Sequence, residues 1–128
     1  MSRYVVDAYA WIEYLEGSAK GSIVDSIVRK EKNEAITASV TVAEVVSKAA
    51  RSNYDVKQAL EVLRRLSLLH EVEETTAELA GRLHTEVKKN IRDFGLADAF
   101  VLATARMLKA KIVTGDPHFK GMRNVILL

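Results

Sequence analysis

Four acidic residues, Asp7, Glu44, Asp98 and Asp116, stand where carboxylates from distant parts of the chain could act together. Each alone has an ordinary structural role. Asp7 precedes a helical stretch and Asp116 precedes Pro117, so both can serve as N-caps. Thr41-Val42-Ala43-Glu44 has the form of a capping box, and Asp98 in a first helical turn would complement the helix dipole. Their joint placement suggests more. Asp7 and Asp116 fall at the ends of β-branched runs, whereas Glu44 and Asp98 fall near the starts of the apolar stretches 42–46 and 96–102. In a parallel sheet the strand C-termini and the N-termini of the return helices share one edge, so all four acids are expected there. Open α/β sheets bind their ligands at that edge. Ionised groups in apolar surroundings need a partner. Yet no basic residue lies within two positions of Asp7, Glu44 or Asp98.

Converging carboxylates repel one another unless a cation joins them. Mg²⁺ or Mn²⁺ would resolve this, because both take octahedral oxygen ligands from carboxylates, water and a substrate phosphate. An ion held in this way polarises water near neutral pH and offsets charge on a transferring phosphate, so phosphodiester hydrolysis is the expected chemistry.

The elements that must position these acids follow from periodicity. Tyr4-Val5-Val6-Asp7 reads as a short buried strand with its carboxylate at the C-terminal end, followed by a helix over Ala8–Glu16. Residues 17–21 are expected to break the chain before a second helix over 22–32. A strand over 35–38 leads to a helix from about 42 to 52, with Ser39 and Thr41 as capping residues. Asp55 caps a helix running through Leu66, and residues 68–72 form a third short strand. An amphipathic helix over 75–89 and a largely apolar, buried helix over Leu96–Leu108 follow. Lys111–Thr114 is a fourth strand, residues 115–117 a turn and 124–128 a fifth strand. Strands separated by helices imply a Rossmann-like α/β/α sandwich with a mostly parallel sheet of four to five strands.

The 128 residues fit one domain, 1–128, with no repeat or linker. With 48% hydrophobic and 28% charged residues the chain reads as an ordinary globule, and no apolar run approaches membrane-spanning length. The opening residues contain no long apolar run and no small-residue cleavage site, so a cytoplasmic location is expected. The lack of cysteine excludes disulfides, iron–sulfur clusters and thiolate zinc sites. A net charge of +2 is too small to mark a nucleic-acid binder by itself.

Four strings in order resemble the PIN-domain nucleases, and especially the VapC-type toxins of prokaryotic toxin–antitoxin pairs. They are Val5-Val6-Asp7-Ala8-Tyr9-Ala10-Trp11-Ile12, Val42-Ala43-Glu44-Val45, Leu96-Ala97-Asp98-Ala99 followed by Ala103-Thr104-Ala105, and Val113-Thr114-Gly115-Asp116-Pro117-His118-Phe119. The resemblance spans essentially the whole chain. It implies a PIN-like fold, Mg²⁺- or Mn²⁺-dependent endoribonuclease activity at Asp7, Glu44, Asp98 and Asp116, a homodimer, and a cognate antitoxin as inhibitor. The chain departs from many relatives at Ala8-Tyr9, where a small hydroxyl or amide residue commonly follows the first Asp.

Thr114 retains a hydroxyl beside Asp116 and is expected to support a ligand or touch a phosphate. Asp93 reads as a solvated loop residue, and His70 and His84 as surface or core histidines. His118, two residues from Asp116, is left without an assigned role. Trp11 and Tyr14 suit a core or dimer contact, and Lys88, Lys89 and Arg92 suit a solvated helix end. Two alternatives remain: a housekeeping RNA-processing nuclease, and a PIN-like RNA-binding or scaffold protein that does not cut. A receiver domain would need an acidic pair after the first strand, and a haloacid-dehalogenase phosphatase a second Asp where Tyr9 stands.

Overall fold

Alternation along the strands divides the hydrophobic residues between two faces of one sheet, and the helices cover both. The computed structural model describes residues 2–128. Its strands are β1 (Ser2–Val6), β2 (Asn33–Ala38), β3 (Leu68–His70), β4 (Lys111–Thr114) and β5 (Val125–Leu127). Every pairing is parallel, in the order β3-β2-β1-β4-β5. The helices are α1 (Ala8–Glu16), α2 (Ala19–Val28), α3 (Ser39–Arg51), α4 (Val56–Leu66), α5 (Glu74–Lys88) and α6 (Leu96–Leu108).

Val5, Ile36 and Ile112 point to one face, where they join Ala80, Leu83, Phe94, Ala99 and Leu102 around α5 and α6. Their strand neighbours Val6, Ala35 and Val113 point to the other, against Trp11, Val24, Val45 and Leu63 around α1 to α4. Trp11 is fully buried, and its Nε1 donates to Thr37 Oγ1 at 3.0 Å, so the indole bridges α1 to β2 in the core. The α/β/α sandwich with a five-stranded parallel sheet is therefore as expected.

Two helices begin earlier than the sequence reading placed them. Ser18, not a residue near 22, caps α2 by accepting from Gly21 N at 3.0 Å, and the helix ends at Val28. Gly21 is no breaker but a contact residue: a Cβ there would overlap the Glu13 carbonyl and crowd Tyr14 Cα, so its absence lets α2 press against α1. α3 starts at Ser39, directly after β2, with no side-chain cap at Ala38. Ser39 Oγ instead accepts from Val72 N at 3.3 Å, and Thr41 is buried within the first turn. Glu44 consequently lies one turn further into its helix than a capping box requires. α6 is buried along its middle, whereas Leu96 and Met107 at its ends are exposed. The turn after β4 is closed by a short 3-10 segment, Pro117–Phe119.

Candidate metal centre

The strand order brings β1 beside β4 although more than a hundred residues separate them, and chain connections diverge on either side of that pair. Such a switch point opens a crevice at the carboxyl ends of the strands. Asp7 leaves β1 there, with its N–H bonded to Val113 O at 3.1 Å. Asp116 follows β4 by two residues. Glu44 from α3 and Asp98 from α6 complete the lining of a cleft of about 510 Å³ that also includes Tyr9, Lys48 and Arg51. All four acids singled out from the sequence thus meet at one sheet edge. A larger hollow of about 690 Å³ lies at the opposite end of α6, but its lining has no acid and offers nothing to a cation.

The capping roles and the clustering turn out to coexist. Asp7 Oδ1 accepts from Ala10 N at 3.2 Å as N-cap of α1. Asp116 Oδ1 accepts from His118 N at 2.9 Å. Asp98 Oδ2 accepts from Gly95 N at 3.0 Å, which is the acidic half of a capping box. These local bonds fix the three carboxylates without using all their oxygens. Glu44 has no such role. It is exposed, contrary to the burial that its apolar flanks suggested, because the helix turns its neighbour Val45 inward and leaves Glu44 at the cleft.

Thr114 links the two central strands chemically. Its hydroxyl donates to Asp7 Oδ2 at 2.6 Å and accepts from Asp116 N at 2.9 Å. Asp7 is only 5% exposed, and burial pushes its pKa up from 3.8 to about 7, against the lowering influence of the Thr114 and Ala10 donors. The charges of Asp116 and Glu44 push it further upward. Glu44 is also raised, first by partial dehydration of its carboxylate in the cleft and then by Asp98 and Asp116. The acids are close enough to oppose one another's ionisation.

Among the described residues no Lys or Arg pairs with any of the four, so the compensating charge must come from elsewhere. His118 supplies a polar partner that the sequence left unassigned: its Nδ1 lies 3.2 Å from Asp98 Oδ2 and 3.3 Å from Asp116 Oδ1. One donor atom from each of Asp98, Asp116 and His118 falls within 4.8 Å of the others, a spacing compatible with one ion. The oxygen-rich, ill-compensated donor set fits a hard divalent cation.

Lys48 and Arg51 were also missed. They lie four and seven residues after Glu44, the spacing that puts side chains on one helix face, so the signal was present once the helix was placed correctly. The better-looking basic run is spent otherwise, with Lys89 pairing with Glu86 at 3.2 Å. Tyr9 lies with its ring against Gly115, where a Cβ would overlap the ring, and Lys20 sits 5.3 Å above that ring. Asp93 is exposed and does not line the cleft.

The fold is an α/β/α sandwich with a carboxylate-lined cleft at its switch point, and the family model described as "PIN domain" matches residues 4–125. The chain belongs to the PIN-domain family. A sequence comparison with curated proteins gives no match. Among solved structures it is similar to a toxin–antitoxin complex from Klebsiella pneumoniae, at 20% identity and TM-score 0.75, covering 96% of this chain and 95% of that one. VapBC2 from Rickettsia felis, bound to a DNA fragment from its promoter, aligns at 18% identity and TM-score 0.75, covering 98% and 97%. VapC20 of Mycobacterium tuberculosis, a toxin that cleaves the sarcin-ricin loop, aligns at 16% identity and TM-score 0.75, covering 95% and 96%. Among the described residues no helix is long and apolar enough to cross a membrane.

Proposed function

We propose that the chain is a single-domain, Mg²⁺- or Mn²⁺-dependent endoribonuclease, the toxin of a toxin–antitoxin pair, acting in the cytoplasm as a homodimer. The observation that carries the reading is the meeting of Asp7, Glu44, Asp98 and Asp116 at the β1/β4 switch point, with Asp7 and Glu44 raised in pKa and, among the described residues, no Lys or Arg paired to them. These four carboxylates would hold the cation. When bound, it supplies a Lewis acid that makes water nucleophilic near neutral pH and offsets charge on the scissile phosphate. Thr114 and Ala10 N hold Asp7 in place, and Gly95 N holds Asp98, so these two donors are oriented before substrate arrives. Lys48 and Arg51 stand on the same cleft and would pair with RNA phosphates flanking the cut.

The toxin role rests on family membership and on similarity to solved proteins described as toxins or toxin–antitoxin complexes. An antitoxin that inserts an Arg among these acids would occupy the cation's place by bidentate pairing. Chelation should abolish cleavage of single-stranded RNA, and Mg²⁺ or Mn²⁺ should restore it, with 5′-phosphate and 3′-hydroxyl ends. Cyclic-phosphate ends formed in EDTA would sink the mechanism. Failure of any product of an adjacent gene to form an inactive complex with the chain would remove the toxin role and leave the nuclease.

A further inference from the structure

The hydrogen bonds at the metal centre divide its oxygens into two sets. Asp98 Oδ2 is held by Gly95 N, and Asp116 Oδ1 by His118 N, each from the backbone of its own turn. The same two oxygens are the ones that His118 Nδ1 reaches, at 3.2 and 3.3 Å. Among the described residues no donor reaches Asp98 Oδ1 or Asp116 Oδ2. A ring nitrogen placed between two carboxylate oxygens is favourable only if it carries the proton, because its lone pair would otherwise face two acceptors. Nδ1 therefore donates, and its hydrogen bond goes to Asp98 Oδ2. Asp116 Oδ1 is close to the ring but takes its hydrogen bond from the His118 backbone N–H, so His118 joins acids that come from different elements.

The imidazole is also confined. It meets Phe94 edge to face with centroids 6.4 Å apart, and fully buried Phe94 is itself braced by Phe119 at 5.8 Å. Its backbone lies in the 3-10 segment opened by Pro117, whose ring restricts φ.

We infer that His118 is a positioning residue and not a ligand: its Nδ1–H holds Asp98 Oδ2 beside Asp116, whose Oδ1 the His118 backbone N–H holds, so that Asp98 Oδ1 and Asp116 Oδ2 are presented together to one cation. The inference rests on the metal-dependent reading of the site. Without the imidazole Asp98 is held by Gly95 N alone, less is left to oppose its repulsion from Asp116, and the cation must complete the alignment. Loss of an orienting partner behind a metal ligand typically weakens metal binding about 10- to 100-fold.

The test is a Mn²⁺ titration of the full chain without RNA, followed by electron paramagnetic resonance, for the parent and for His118→Ala, His118→Asn and His118→Gln. In Asn the amide nitrogen hangs from Cγ as Nδ1 does, whereas in Gln it lies one bond further out. His118→Ala should weaken Mn²⁺ binding about 10- to 100-fold. His118→Asn should recover most of that loss and His118→Gln should not, with all folds checked by near-ultraviolet circular dichroism. If His118→Ala does not fold, the Asn-against-Gln comparison still decides. Pulsed spectra of parent-bound Mn²⁺ should lack the coupling of a directly coordinated nitrogen. Such coupling in the parent, lost in His118→Asn, would make His118 a ligand and overturn the inference, as would unchanged affinity in His118→Ala. A parent that binds no Mn²⁺ would overturn the metal reading itself, and this inference with it.

Discussion

Asp7→Asn offers the most direct measure of what the cleft does to the metal-free fold. Asn keeps the size of the side chain and an oxygen for Ala10 N, but it cannot ionise. In the parent the unfolded chain releases the Asp7 proton near pH 3.8, while the folded chain holds it until about pH 7. Between those values the folded state binds more protons than the unfolded state, so raising the pH favours unfolding. A rise from 3.8 to about 7, at about 1.4 kcal/mol for each pH unit, sets a ceiling of about 4 kcal/mol on the loss. The loss is absent below pH 3.8, accumulates up to about pH 7, and is constant above that. Against a typical stability of about 5 to 15 kcal/mol for a domain this is a large fraction. Denaturant unfolding in EDTA from pH 4 to 8 should therefore show the parent losing stability, relative to Asp7→Asn, by up to about 4 kcal/mol. Excess Mn²⁺ should remove or reverse the decline, because the cation binds the ionised form of the folded site. Any constant offset caused by the Thr114 hydroxyl losing its acceptor cancels in this comparison. Parallel profiles in EDTA would refute the reasoning, because they would mean that ionised Asp7 is well solvated or already compensated.

Four further outcomes follow from the site and from the packing around it. Asp98→Asn should abolish RNA cleavage yet leave metal-free stability within about 0.5 kcal/mol of the parent or above it, since its oxygen can still accept from Gly95 N. Asp98→Ala should in addition lose about 1 kcal/mol in denaturant melts through loss of that cap. Gly21→Ala should destabilise by about 1 to 3 kcal/mol in thermal melts, because the added methyl meets α1 backbone that cannot move aside. An unchanged melting temperature would mean that α1 and α2 are less closely packed than described. Lys48→Ala and Arg51→Ala should raise KM for RNA and flatten its salt dependence with little change in melting temperature, as expected for exposed residues that contact phosphate.

Much of the fold was legible because it is written in local periodicity. α1, α4, α6 and β4 fall where the pattern of apolar residues and the caps place them, because those signals depend only on near neighbours. The reading failed where a side chain is used by something distant. Ser39 and Thr41 look like caps, but Ser39 Oγ is taken by Val72 N and Thr41 is buried, so α3 starts three residues earlier than its apolar run. Gly21 looks like a breaker, yet its missing Cβ is required by α1.

The site divides in the same way. Residue type and order alone determined that Asp7, Glu44, Asp98 and Asp116 lie near strand ends or helix starts, and hence that a parallel sheet would collect them on one edge. Only tertiary structure decided that β1 lies beside β4, that Thr114 ties Asp7 to Asp116, and that His118 reaches Asp98 from 20 residues away. It also decided that Glu44 faces the cleft together with Lys48 and Arg51. The physical reason is that a carboxylate's oxygens are equivalent in the sequence, and which of them remain free for a cation depends on donors that reach them through space.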